Sequence, residues 1–473
     1  MKKTRKGAMI ALAVVSLLCG CTTQKLDMET PIQQMSPRAW SSHLSMSGTT
    51  TDVTQFWEAW NDSELLSLIK KAKHSNADVL TAFATLKAAR ANLKEVNASL
   101  WPTANVSGEG SRRRSNGDSH ESWSGGLDVI WTLNLAGGEK AKQDAKYFDV
   151  LAKAIAISDV QEVVALETAQ TYIRLRSNQV LRSITRSTLK NYEENADLVR
   201  WRVMAGLATQ SELEDALSRV ASTQAQLRNL KAIEANYRNA LARLTAQPLD
   251  KLVVGVGEIP RAPIGLSVDI PAQTLMRRPD IRSARAMLLS AGANLEKAQS
   301  DFFPTLSLSG SIGTQAATVG ALGASGSGIA SLIGALSLPV LNWGGLQARE
   351  ELAESVLDEA KARYLAVIVG ALEETDNALH GIKSAQDQAV YLEQALQHAQ
   401  RAYELALMEY KTGIGDYAML LEAQRSLLTA QESVKSNEAE LSLQHVALYR
   451  ALGGAWNPQE VMGVKDKEEQ HHG

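Results

Sequence analysis

Few residues in this chain stand in a pattern that could do chemistry. The eight histidines are scattered, none in the His-Glu-x-x-His spacing that holds zinc on a helix face. His380 and His398 read as solvated helix positions. The Gly-rich stretch 320–328 lacks the lysine of a phosphate-binding loop, and Gly255-Val256-Gly257 is a lone Gly-x-Gly. Gly415-Asp416-Tyr417 has no base beside it in sequence. No catalytic or metal site is expected, and no cofactor. Two sets remain. Cys19 and Cys21 are the only thiols, open to covalent modification, and Asp215 and Glu422 are carboxylates placed alike after two glycines, Gly206 and Gly413. Fixed charges at such turns act on ions and on each other without making bonds.

The cysteines close a short segment that is not fold. Lys2, Lys3, Arg5 and Lys6 form a positive region, and 8–18 is apolar but too short to span a bilayer. The segment ends in Leu18-Cys19-Gly20-Cys21, which resembles the bacterial lipoprotein signal. That resemblance makes 1–20 the signal peptide and Cys21 the lipidated mature N-terminus, anchored by a palmitate-type lipid. Thr22, in place of an inner-membrane retention aspartate, implies the outer membrane. An ordinary secretory signal cut elsewhere is the alternative. No disulfide is expected, because lipid would consume the one mature cysteine. A formal charge of -3 without a long basic block argues against nucleic acid as a partner. No later helical run reaches the ~20 apolar residues of a membrane helix, so any crossing must use strands.

The elements that position these residues are long. The stretches 138–246 and 345–452 hold no proline, and glycine falls mid-way at Gly206 in one and at Gly413 and Gly415 in the other. Each reads as a long helix, a tight tip and a second helix returning antiparallel. Room for about 65 helical residues before Gly206 gives roughly 100 Å, far beyond the ~11–12 residue mean helix. Such a rod suits a protein that bridges a wide aqueous gap. Segment 21–62 is polar until Phe56, Trp57 and Trp60, and helical periodicity runs over 63–99. After Pro102 the period changes to 2: strand 103–108, a polar loop 109–118, then strand 123–135 with Leu127, Val129, Trp131, Leu133 and Leu135 on one face. The basic triplet Arg112-Arg113-Arg114 reads as part of that solvated loop. A transmembrane hairpin fits, and so does a half-buried soluble one. Trp101, Trp131 and Trp343 near strand ends suit an interfacial belt, or a middle-region core.

An internal repeat bears on that choice. The stretches from Asp78 and from Asp280 align at an offset of 202, and Pro102-Thr103 matches Pro304-Thr305. Beyond the hairpins the offset is 207: Gly137-Gly138 matches Gly344-Gly345, Gly206 matches Gly413, and Asp215 matches Glu422. The second hairpin repeats the alternation with Leu306, Leu308, Leu336, Leu338 and Val340. Repeat 1 therefore covers 63–246 (hairpin about 102–136) and repeat 2 covers 274–453 (hairpin about 304–343). A proline-rich connector, 247–273, joins them, and 454–473 is a polar tail. Four candidate strands cannot close a barrel with a lumen, and open edges in lipid cost several kcal/mol per unpaired group. Spanning strands therefore require an oligomer.

Phe56-Trp57 with Trp60 and Asp62, Leu275-Met276-Arg277-Arg278-Pro279-Asp280-Ile281, Phe302-Phe303-Pro304-Thr305-Leu306, Tyr410-Lys411-Thr412-Gly413 and Leu420-Leu421-Glu422-Ala423-Gln424 carry a family resemblance. They are similar to the TolC-like outer-membrane efflux family, in its lipoprotein branch of the OprM and NodT kind. The resemblance implies a membrane α+β fold: a homotrimer with a twelve-stranded transmembrane β-barrel, four strands per chain, continuing into a periplasmic α-helical coiled-coil barrel. It implies partners too, a periplasmic membrane-fusion adaptor and an inner-membrane pump of RND, MFS or ABC type. The implied role is the passive exit duct of a tripartite efflux system. A type I protein-secretion duct and a periplasmic scaffold or adaptor lipoprotein are the alternatives. By the same resemblance Glu422 falls on an acidic periplasmic gate with Asp215 as its repeat partner, and Tyr410 and Lys411 fall in the closing network. Ala418 stands where a leucine often narrows the opening. As plain chemistry, Glu422 and Asp215 also fit solvated helix charges. Gly206, Leu207, Thr209, Gly413, Gly415 and Asp416 form the tips that would meet an adaptor. Met204, Met408 and Met419 lie near these tips without copper-handling spacing.

Overall fold

The computed structural model describes residues 56–115, 117–262 and 275–454. Cys21 with its signal, connector residues 263–274 and the tail beyond Gly454 lie outside the described residues.

Asp62 starts the first helix, α1 (Ser63–Ser75), by accepting from the Glu64 and Leu65 amides. Asn76 then interrupts the single helical segment expected over 63–99. Its backbone is extended, with φ -61° and ψ 140°, and its side chain caps a new helix, α2 (Ala77–Ser99), through the Asp78 amide. Two strands follow, β1 (Thr103–Ser115) and β2 (Asp118–Asn134). Here the expected loop is corrected. The pairing runs unbroken from Thr103↔Ile130 to Ser115↔Asp118, so nearly all of 109–118 is strand, and Arg112, Arg113 and Arg114 lie in it. Backbone ladders do not need apolar side chains, and Gly117, with φ 96°, turns the chain just before Asp118.

The long helix α3 (Gly138–Met204) has 67 residues and returns as α4 (Gln210–Leu244). After the connector come α5 (Pro279–Ser300), β3 (Thr305–Ala316) and β4 (Gly328–Ser337). The 70-residue α6 (Trp343–Thr412) and α7 (Tyr417–Ala451) complete the chain. At about 1.5 Å per residue each long helix extends roughly 100 Å. No helix among the described residues is long and apolar enough to cross a membrane.

The four strands form one antiparallel sheet in the order β1-β2-β3-β4. Register sorts its side chains into two faces. Val106, Leu127, Ile312 and Ala330 stand in one row, Trp131 and Leu308 in another, and Leu133, Leu306 and Leu336 in a third, all on one face. The other face carries Asn105, Asp128, Ser311 and Ser331, with Ile130 and Ile333 as apolar exceptions. Hydrogen bonds across it join Ser107 to Asp128 and Ser311 to Ser331, each 2.7 Å. Leu338 and Val340, expected to continue the alternation, lie past the end of β4.

Each long helix is one rod, whereas its neighbours are shorter. α3 packs on α4 and α5 and also on α1, α2 and α7; α6 packs on α7 and α5. Where α4 ends and α2 begins, buried Asn76 donates from Nδ2 to the Leu244 carbonyl at 3.0 Å. Where α7 ends and α5 begins, Arg278 donates to the Ala451 carbonyl at 3.1 Å. Both side chains satisfy a helix-end carbonyl that would otherwise be orphaned inside the protein. The core lies at this level. Phe56 stacks on Tyr449 with centroids 4.3 Å apart, and Trp57, Trp60, Tyr172, Ile173, Leu241, Ile382 and Val446 close around them. Connector residues Val254 and Ile259 are buried in the same cluster.

Arg278 is 2% exposed and pairs with Asp280 and Glu374, each at 2.7 Å. Removing a partner from a fully buried ion pair costs about 3–5 kcal/mol, and here the cost is smaller because Glu374 is 50% exposed and can hydrate. Thermal unfolding in detergent should therefore show a clear loss for Arg278→Met and a smaller one for Arg278→Lys. Unchanged melting of Arg278→Met would refute this role.

Candidate functional site at the helical tips

The two tips are built by the same local chemistry. Gly206 has φ 72° and Gly413 has φ 81°, a left-handed backbone that glycine adopts without strain. The next residue folds back in each case: Leu207 donates to the Arg202 carbonyl at 2.8 Å, and Ile414 to the Glu409 carbonyl at 3.0 Å. These six-residue closures satisfy the last carbonyls of α3 and α6. The returning helices are capped as firmly. Thr209 and Glu212 form a reciprocal capping box, and Asp416 accepts from the Met419 amide at 2.8 Å. Gly415 lies so close to α6 that an added Cβ would fall 2.9 Å from the Glu409 Cβ. Thr209, Asp416 and the tip glycines are thus needed for the turns whatever else they contact.

Behind the tips, Ala196, Val199, Ala216, Ala406, Tyr410, Tyr417 and Leu420 form a buried cluster joining α3, α4, α6 and α7. Tyr410 and Tyr417 meet at 5.6 Å. The Arg202 guanidinium lies 4.5 Å from the Tyr410 ring centroid and donates to the Tyr410 carbonyl at 2.7 Å. A cation there also favours the negative end of the α6 dipole. Burial pushes the Tyr410 hydroxyl up from its ordinary value, and Arg202 pulls it part of the way back. Burial raises Tyr417 as well, helped by Asp215 and Tyr410. Both phenols are neutral near pH 7. One layer up, buried Asn195 donates to Gln424 at 3.0 Å.

The expected gate carboxylates lie outside this cluster. Glu422 is exposed and pairs with Arg425 at 2.9 Å; Asp215 is half-buried and approaches Arg219 at 3.7 Å. Lys411 and Ala418 are exposed, whereas Tyr410 is buried. The structure thus brings Tyr410 together with Arg202 and Tyr417 and sets Lys411 on the surface. Sequence reasoning missed Arg202 and Tyr417, although an arginine in the last turn before a tip glycine is a legible C-terminal signal. It named Met204, Leu207 and Met419 near the tips but not Trp201, which is exposed with them and with Ile414.

At the far end of the rods, Trp131 donates from its indole to the Leu100 carbonyl at 2.9 Å. Trp343 packs edge-on against Phe302 at 5.3 Å, and Trp101 is exposed. A further tryptophan, Trp123, covers Gly110 toward the hairpin turn.

Two rods of roughly 100 Å carrying a small two-faced sheet at one end and glycine turns at the other define a TolC-like outer-membrane channel chain. The chain belongs to the outer membrane efflux protein family, whose model matches residues 68–247 and 270–454. It is similar to the toluene efflux pump outer membrane protein TtgC of Pseudomonas putida, at 28% identity over 471 residues and 96% of each chain. The pyoverdine export outer membrane protein OpmQ of Pseudomonas aeruginosa is 28% identical over 467 residues, covering 95% of this chain and 96% of that one. Among solved structures, the outer-membrane channel OprN superposes with a TM-score of 0.86 at 28% identity, over 92% of this chain and 100% of that chain. The protein is therefore an outer-membrane efflux channel.

The Tyr410 hydroxyl has no hydrogen-bond partner among the described residues. Tyr410→Phe should change stability by less than about 0.5 kcal/mol, whereas Tyr410→Ala should cost about 3–5 kcal/mol through the cavity it leaves. Thermal unfolding in detergent measures both. A Tyr410→Phe protein destabilised as much as the alanine variant would show that the hydroxyl is engaged.

Proposed function

We propose that three copies of the chain close their sheets into a twelve-stranded transmembrane β-barrel that continues into a periplasmic α-helical coiled-coil barrel. The observation that carries this is the pair of open edges. β1 and β4 each have a neighbour on one side only, in a sheet with one apolar and one polar face. In lipid such edges must be paired, and the barrels of single-chain outer-membrane proteins begin at about eight strands. The apolar face then meets lipid and the polar face lines the duct. Two structural repeats per chain supply the staves, and lipid on Cys21 adds an anchor.

The duct is passive. A periplasmic adaptor engages the tips at Gly206, Leu207, Thr209, Gly413, Gly415 and Asp416, and an inner-membrane pump of RND, MFS or ABC type supplies the energy. Trp101, Trp131 and Trp343 mark the periplasmic interface of the outer membrane. Glu422, with Asp215, Tyr410, Lys411 and Ala418 around it, gates the periplasmic opening. Exposed ion pairs such as Glu422–Arg425 contribute only about 0–1 kcal/mol, so partners can exchange them readily. A ring of carboxylates in a narrow opening attracts cations and repels itself.

Single-channel conductance in planar bilayers tests this. Wild-type protein should give a small, cation-favouring conductance that rises in Glu422→Ala. A conducting wild type that the mutation leaves unchanged would move the gate elsewhere. No channel from a folded oligomer would overturn the duct itself.

A further inference from the structure

The basic triplet Arg112-Arg113-Arg114 has no part in the duct described above, yet it lies in β1 and the register divides it. Arg112 stands opposite Glu121 and Arg114 opposite Ser119. These β2 positions share the parity of Trp123, Leu127 and Trp131, so both arginines belong to the apolar face. Arg113, opposite His120, falls on the polar face with Asp128 and Thr132. Toward the hairpin turn the apolar face ends at Trp123, whose ring lies over Gly110; a Cβ added to that glycine would meet it at 2.5 Å. Arg112 and Arg114 are the next two positions of that face in β1.

Depth follows from strand geometry. Trp131 and Trp123 are separated along β2 by about 26 Å of strand at ~3.3 Å per residue, or roughly 20 Å along the membrane normal at about 40° of tilt, within the ~25 Å apolar band of outer-membrane barrels. Arg112 and Arg114 stand roughly 7 and 13 Å further along. Along the normal they therefore lie roughly 25 and 30 Å from Trp131, at the outer edge of the apolar band and in the polar headgroups beyond it. The Arg112 side chain is 71% exposed, and Glu121, 3.7 Å away, is the carboxylate that faces it. Two guanidinium groups against one carboxylate leave this end of the lipid-side face positive. Planar guanidinium forks match phosphate oxygens in pairs.

We propose that Arg112 and Arg114 bind the phosphate groups of lipid headgroups in the leaflet around the outer end of the barrel. The proposal rests on the sheet spanning the membrane with its apolar face in lipid. Arg113 faces the duct mouth and takes no part, which makes it the internal control.

The test uses the full-length oligomer reconstituted in bilayers containing phosphorylated lipid A, with lipid retained per oligomer counted by native mass spectrometry. Retention should fall by more than about tenfold in the Arg112→Ser, Arg114→Ser double variant, at roughly fivefold per arginine. Arg113→Ser should retain lipid like wild type, and dephosphorylated lipid A should be lost from all three proteins. Equal loss in Arg113→Ser, wild-type retention in the double variant, or equal retention of the dephosphorylated lipid would each overturn the site. Displacement of lipid A by inorganic phosphate alone would overturn the choice of a lipid as occupant. Conductance of the same preparations separates the two levels of the argument. Channels with unchanged lipid counts sink this site alone, whereas absent channels sink the barrel with it.

Discussion

A helix of roughly 100 Å needs neighbours along its whole length, and the chain provides them in two pieces. α2 and α4 lie along α3 and meet near its middle; α5 and α7 meet in the same way at Arg278 and Ala451. Every such meeting brings the C-terminal end of one helix against the N-terminal end of another inside the protein. Four carbonyls and four amides at each end then lack helical partners. Asn76 and Arg278 answer this, each starting its own helix and donating to the last carbonyls of the other. The core gathers at this level because here the rods must be thickest. The aromatic residues Phe56, Trp57 and Trp60 and connector residues Val254 and Ile259 pack together in the core beside the junctions.

The second constraint is the sheet. Its strands cannot satisfy their own edges, and its lower end is tied to the helices. Trp131 bonds to the last turn before β1, and Asn134 bonds to Ser300 at the end of α5. The sheet therefore cannot roll independently of the rods beneath it. Whatever closes the edges of β1 and β4 must also bring the long helices side by side. The geometry of one assembly is the geometry of the other.

Much of this was legible in sequence. Proline-free stretches around Gly206 and Gly413 marked the rods, and period-2 alternation at Leu127–Leu133 marked the apolar face. What failed had physical reasons. The break at Asn76 hid because the apolar spacing is helical on both sides, and only the competition of one side chain with the backbone interrupts it. The polar half of the first hairpin hid because strands are recognised by apolar alternation, whereas the ladder itself depends on backbone groups. The helices turn at Gly206 and Gly413, but orientation was not legible: Tyr410 is buried and the adjacent Lys411 exposed. Arg202 was invisible as a partner of Tyr410, since 208 residues separate them and only the fold brings them together.

The two levels of the molecule are held by interactions of different strength. At the junctions the buried Arg278 guanidinium meets Asp280 and the half-exposed Glu374, and the buried Arg176 meets the partly exposed Glu64 at 2.5 Å. Breaking such pairs costs up to several kcal/mol. Toward the tips the ion pairs Glu422–Arg425 and Asp215–Arg219 are partly or largely open to water, where each contributes about 1 kcal/mol or less. The tip cluster itself mixes the small side chains of Ala196, Ala216 and Ala406 with the large ones of Val199, Tyr410, Tyr417 and Leu420. A partner that supplies a few kcal/mol at the tips can therefore rearrange the surface of that end. The same energy applied at the junctions would leave the buried pairs in place. The weakly held groups of the molecule thus lie at its tip end, in exposed ion pairs, whereas the junctions at Asn76 and Arg278 rest on buried groups.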